Sequence, residues 1–153
     1  MKKILLSMML LICNIASYGQ AEFNDSIIEH IVRNERQYFN EITAIYKSDD
    51  PMLHVNDIAL VYYGQAFMPQ YNPGKDENEK LLKRMHEEKR NADIYKVAKK
   101  ILTYNPVSLN ALFSIYIASK ELRKSDEECL SYLKKYQSIV DMICQFGNGK
   151  SSD

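Results

Sequence analysis

Basic charge is not in excess in this 153-residue chain, which carries 20 lysines and arginines against 20 acidic residues. Binding a nucleic acid needs a concentrated basic face, so nucleic acid is excluded as the expected partner. Long apolar runs are missing too. The stretch from Ile4 to Ile12 spans nine residues broken by Ser7, whereas a helix crossing a bilayer needs about 20, so no permanent anchor is expected. Histidine is sparse, and His30, His54 and His86 are isolated. None has a partner at zinc-site spacing, and His86-Glu87-Glu88 lacks the second histidine of a zinc protease helix. No serine sits in a nucleophile elbow. Gly149-Lys150-Ser151 is not a phosphate loop, because the position that needs glycine holds Cys144 and the segment follows a helix, not a strand. No metal, no other cofactor and no recognisable catalytic set is expected.

Met1-Lys2-Lys3, the apolar run and the small residues Ala16, Ser17 and Gly19 have the three-part form of a secretory signal. Ser17 and Gly19 suit a signal peptidase, which makes Gln20 the expected first residue of the mature chain. Lipidation at Cys13 is disfavoured by the bulk of Ile12 just before it. Loss of Lys2 and Lys3 leaves a net charge of about −2 on the mature part, which is long enough for one domain. The expected organisation is therefore residues 1–19 as signal peptide, 20–147 as a helical domain and 148–153 as a polar tail. Export to the periplasm or medium follows, with membrane contact only through the transient signal.

Of the 3 cysteines, Cys129 and Cys144 remain after cleavage. An oxidising compartment favours pairing, but both fall on one predicted helix about 22 Å apart along its axis, far beyond disulfide reach. Two free, buried thiols are expected.

Helical patterning recurs along the mature chain. Ser26 and Glu29 have the spacing of a capping box, ahead of an apolar stripe through Ile28, Ile31, Val32, Phe39, Ile42, Ile45 and Tyr46, with a polar gap at residues 34–37 that marks a possible break. The Asn24-Asp25-Ser26 sequon is explained by capping. Asp49-Asp50-Pro51 ends this unit. Residues 56–67 are apolar almost all round and read as a buried helix, in which Gly64 points to close packing or a helix end. Residues 68–80, with Pro69, Pro73 and Gly74, read as a loop, and the charged segment 79–91 as an exposed helix with a solvated face. Ile94, Val97, Ala98, Ile101 and Leu102 share one face until Asn105-Pro106 stops the helix. Ser108 caps the next, which carries Leu109, Leu112, Phe113, Ile115 and Tyr116 and runs to about Arg123. Ser125 and Glu128 form a second capping box, opening a helix with Cys129, Leu130, Leu133, Tyr136, Ile139, Val140, Ile143 and Phe146 inward and Gly147 at its end. The expected fold is all-α, five to six helices in tetratricopeptide-like antiparallel hairpins. Ala98, Ile101 and Pro106 fall near the closing positions of one such repeat, and Ala111, Leu112 and Ile115 fit the first helix of the next, with Tyr116 where a small residue is usual.

Three segments resemble an uncharacterised exported Bacteroidota family, domain of unknown function 4919. They are Tyr38-Phe39 with Asp49-Asp50 and Leu53; Leu60-Val61-Tyr62-Tyr63-Gly64 with Phe67, Tyr71 and Pro73; and Asn105-Pro106 with Ser108, Ala111 and the ending from Gly147 to Ser151. The resemblance brings no known activity. It implies that the glycine-rich ending is a connection to a further, strand-containing part, so that this chain is expected to be a shortened member.

Tyr62, Tyr63, Phe67 and Tyr71 are the one constellation with chemistry to offer. Core packing is the simpler account, since aromatic rings bury large areas while tyrosine keeps a polar end. As a site they would line a groove for an extended peptide or stack against sugars. The expected function is a noncatalytic helical-repeat interaction module of the cell envelope with a protein or peptide partner. The alternatives are a glycan-binding envelope accessory protein and an enzyme with an unfamiliar site.

Overall fold

The computed structural model describes residues 24–48 and 53–146. The expectations for the signal segment 1–19, the Asp49-Asp50-Pro51 turn, Gly147 and the tail 148–153 lie outside the described residues. Among the described residues there are seven α-helices and no strand: α1 (Asp25–Asn34), α2 (Arg36–Lys47), α3 (Val55–Gly64), α4 (Glu77–Glu87), α5 (Asn91–Tyr104), α6 (Leu109–Glu121) and α7 (Asp126–Phe146), with 3-10 turns at Gln65–Phe67 and Pro73–Lys75. The all-α class is as expected, and the helix beyond five or six comes from a break at Glu35, inside the polar gap. None of these helices is long and apolar enough to cross a membrane.

Local chemistry sets the ends. The N-cap of α1 is Asn24, not Ser26: its Oδ1 accepts from the Ser26 amide at 3.0 Å and from the Ser26 hydroxyl at 2.6 Å. Asparagine is a strong cap, and Glu29 turns to Arg33 at 2.8 Å instead of closing a box. Ser108 caps α6 as expected, accepting from the Ala111 amide at 3.2 Å. The second capping box is half formed: Ser125 accepts from the Glu128 amide at 3.2 Å, but the Glu128 carboxylate accepts from the Tyr95 hydroxyl across to α5. Helices α4 and α6 close with the same two-bond ending. Lys89 and Arg123 take positive φ (52° and 54°), and the amides of Arg90 and Lys124 reach back to the carbonyls of Met85 and Ser119. That is the Schellman ending, here without glycine. These tight turns fold α4 back on α5 and α6 back on α7, and short connections make antiparallel neighbours.

Three buried clusters tie the hairpins together. Ile28, Val32, Phe39 and Leu60 join α1, α2 and α3. Leu82, Met85, Ile94, Ala98, Ile101, Ala111, Ile115 and Ala118 join α4, α5 and α6. Tyr46, Ala59, Val61, Val107, Leu112, Ile139 and Met142 bring α7 against α3 and α2. Gly64 ends α3 where a side chain would collide: a Cβ there would lie 2.5 Å from Phe39 Cε2 and 3.1 Å from Val32 Cγ2.

Three expectations are corrected by this packing. The charged helix α4 is exposed on one side only, since Leu82 is fully buried and Met85 is 8 % exposed; two apolar residues three apart suffice to seat one face. Phe113 on α6 is 47 % exposed. That helix packs against both α5 and α7, and its buried positions are Ala111, Leu112, Ser114, Ile115, Ala118 and Ser119. On α7, Leu130 is 49 % exposed, while Met142, not singled out, is fully buried. Both cysteines are free as expected, but only Cys129 is buried and Cys144 is exposed.

Candidate functional site

The turn that ends α3 sends its aromatic residues two ways. Phe67 and Met68 pack inward against the cluster of Ile28, Val32, Phe39 and Leu60. Tyr62, Tyr63 and Tyr71 line a cleft of about 460 Å³ between the end of α3, the 65–76 segment, the start of α4 and the α5–α6 connection. Three of the four aromatic residues singled out from sequence thus meet at one cleft, and Phe67 does not. Tyr62 and Tyr63 are half-buried and also touch the core, so packing and lining are shared by the same rings. Their centroids are 5.2 Å apart and their planes cross at 85°. Gln65, buried beneath them, donates to the Val61 carbonyl at 3.3 Å.

The opposite wall is polar and lies far off in sequence. Asp76 caps α4, its Oδ1 accepting from the Asn78 amide at 2.8 Å, while its Oδ2 accepts from the Tyr104 hydroxyl at 2.6 Å. Asn78 Nδ2 donates to the same hydroxyl at 3.2 Å. Glu79 accepts from the Ser108 hydroxyl at 2.8 Å and from Asn110 Nδ2 at 2.6 Å. A short network therefore pins the start of α4 to the α5–α6 connection. Asn105 Oδ1, also in the lining, is buried without a hydrogen-bond partner. Among the described residues, no lysine, arginine or histidine lines the cleft.

The ionisation of these groups follows from their partners. Burial works to raise the Asp76 carboxyl, but the Tyr104 hydroxyl and the amides of Asn78 and Glu79 outweigh it and hold the group below the ordinary carboxylate range. Burial, and then the bond to Asp76, push the Tyr104 phenol up to about 12. Burial also raises Tyr62, helped by Tyr63 and Tyr71.

A folded Tyr104 near 12 against an ordinary 10 contributes stability that is whole below pH 10 and lost as pH rises through 12. Asp76 contributes stability present above its ordinary 3.8 and lost as pH falls through its lower folded value. Tyr104→Phe should cost about 1 to 2 kcal/mol at neutral pH by removing a hydrogen bond to a charged group. It should also flatten both limbs of the stability profile. Urea midpoints of the two proteins from acid to pH 12 test this; parallel profiles would refute it.

Sequence reasoning missed Asp76, Glu79, Tyr104 and Asn110. Ser108 was legible as a cap, and Asp76 stood in a recognised loop, but no short-range pattern links residues 26 to 31 positions apart. The histidines stay dispersed: His30 bonds Asn34 on α1, His54 precedes α3 with its amide on Asp57, and His86 bonds Ser114 between α4 and α6. Among the described residues, no three metal-ligating side chains converge. Comparison with curated proteins and with solved structures finds no match to the chain. The family model described as a domain of unknown function, DUF4919, matches residues 25–153, and the chain belongs to that family.

Proposed function

We propose that this protein is an exported, noncatalytic helical binding module that holds a segment of a protein or peptide in the cleft walled by Tyr62, Tyr63, Tyr71 and Tyr104. The observation that carries the reading is the cleft itself: about 460 Å³, set between two connections on a helical scaffold, within the size range of small ligand sites. Its two carboxylates are engaged as structural acceptors, and Asp76, held low, is a poor general acid near neutral pH. A photo-crosslinking amino acid at position 71, on the exposed rim, should trap a defined partner from envelope extract. The same group at exposed Tyr38, remote from the cleft, should not. Equal trapping at both positions, or none at 71, rejects the cleft as the site.

The amides of Gln70, Asn72 and Asn110 in the lining support a second reading, a glycan-binding envelope accessory protein. Glycan-array binding that is lost in Tyr63→Ala would favour it over the first. Export rests on the signal-like residues 1–19 and on the likeness to exported Bacteroidota proteins. Intact mass of the protein from its host envelope should match a chain starting at Gln20. A diacylglycerol adduct on Cys13 would overturn the start at Gln20 in favour of a lipid-anchored exported protein, and a retained Met1 would overturn export itself.

A further inference from the structure

We infer that the cleft takes an organic cation, an alkylammonium or guanidinium group on an apolar stem, such as a lysine or arginine side chain of an extended partner segment. This rests on the reading of the cleft as a binding site and adds the chemistry of what enters it.

Hydrogen-bond accounting sets the first constraint. Around the two carboxylates the donors are spent inside the protein: the Tyr104 hydroxyl on Asp76, and the Ser108 hydroxyl and one Asn110 amide hydrogen on Glu79. Acceptors are left over. A carboxylate has about four acceptor sites, of which Glu79 uses two, and Asn105 Oδ1 is buried with none used. A ligand group that meets these acceptors has to bring donors, and an ammonium group brings three and no acceptor.

Charge gives the second. Asp76 and Glu79 face the cleft with no basic residue in its lining and no ion pair among the described residues. The N-termini of α4 and α6 open on the same side and offset about half a charge each, which leaves the site net negative by about one. Shape gives the third. Tyr62, Tyr63 and Tyr71 line the cleft, and a compact cation is attracted to aromatic faces, whereas the edge-to-face pair of Tyr62 and Tyr63, with planes crossing at 85°, makes no flat two-ring platform for a sugar.

The test is a titration of the isotope-labelled full-length protein, following backbone amide signals with blocked glycine tripeptides that carry a central lysine, acetyl-lysine or glutamate. Cadaverine and a neutral cello-oligosaccharide are the other arms. The lysine peptide should produce saturable shifts at Tyr63, Tyr71, Glu79 and Asn110, weakened by rising ionic strength. The acetyl-lysine peptide, the same shape without the charge, should bind at least about tenfold more weakly. Glu79→Gln, which keeps the size but removes the charge and replaces one acceptor oxygen with an amide donor, should weaken the lysine peptide about as much, and Tyr71→Ala on the exposed rim should weaken it with no change in fold. Tighter binding of cadaverine than of the peptide supports the cation and assigns it to a free amine. Equal binding of lysine and acetyl-lysine peptides, or saturation by the oligosaccharide alone, overturns the cation and leaves the cleft as a binding site. If no probe moves these amides, the inference falls, and crosslinking from position 71 decides the parent reading by itself.

Discussion

Phe39→Ala is expected to cost about 3 to 5 kcal/mol, the range for deleting a buried aromatic side chain, in a protein whose total stability should be about 5 to 15 kcal/mol. Phe39 is 1 % exposed and sits where α1, α2 and α3 meet. Its ring also explains the glycine opposite. Gly64→Ala should gain up to about 1 kcal/mol from helix propensity, yet the added Cβ would stand 2.5 Å from Phe39 Cε2. A ring locked in a closed cluster cannot swing aside, so the net effect should be a loss of about 1 to 3 kcal/mol, as for other overpacked cores. The double variant separates the causes. Once Phe39 is alanine, the nearest obstacle is Val32 Cγ2 at 3.1 Å, a gap that small shifts open, and the new methyl fills part of the vacated space. Gly64→Ala should then be neutral or stabilising, with a coupling of at least about 1 kcal/mol between the two sites. Urea unfolding of the four proteins supplies the cycle. Additive effects would show that Gly64 is present for a reason other than the ring.

Leu82→Ala should cost about 2 to 5 kcal/mol, while Lys83→Ala beside it should stay within about 0.5 kcal/mol of the parent. Leu82 is fully buried against α5 and α6, and Lys83 is exposed. The contrast matters because α4 also carries Asp76 at its cap and Glu79 in its first turn. Loosening its apolar face should disturb the cleft as well as the core, and fast-exchanging amides at residues 77–80 would report it. A loss below about 1 kcal/mol for Leu82→Ala would mean that α4 is only laid on the surface.

Helix by helix, what could be read in the residues was what depends on neighbours in the chain. The cap at Ser108, the stop at Asn105-Pro106, the gap between α1 and α2 and the single apolar face of α5 are produced by side chains acting on backbone within one or two turns. Burial was legible only where one face carried all the apolar residues. It failed for Leu130, which lies outward, because the positions of α7 that are buried fall on Cys129, Ile139 and Met142. It failed for Leu82 because a charged helix needs only two or three apolar residues to be seated. At the cleft, the tyrosines near Gly64 could be singled out as a group. The acids and amides that face them could not, because Asp76, Glu79, Tyr104 and Asn110 meet only after α4, α5 and α6 have folded on one another.

By itself, then, the amino-acid sequence determined an all-α chain, most of its helix ends, the absence of a disulfide partner in reach on α7 and the tyrosine group at the end of α3, since capping, helical period and rise per residue are local properties. Tertiary structure decided which face of each helix is buried, why Gly64 must lack a side chain, and that the tyrosines of α3 stand across a cleft from Asp76 and Glu79. Those outcomes depend on how close two helices can approach, and that distance is set by the side chains of both partners together.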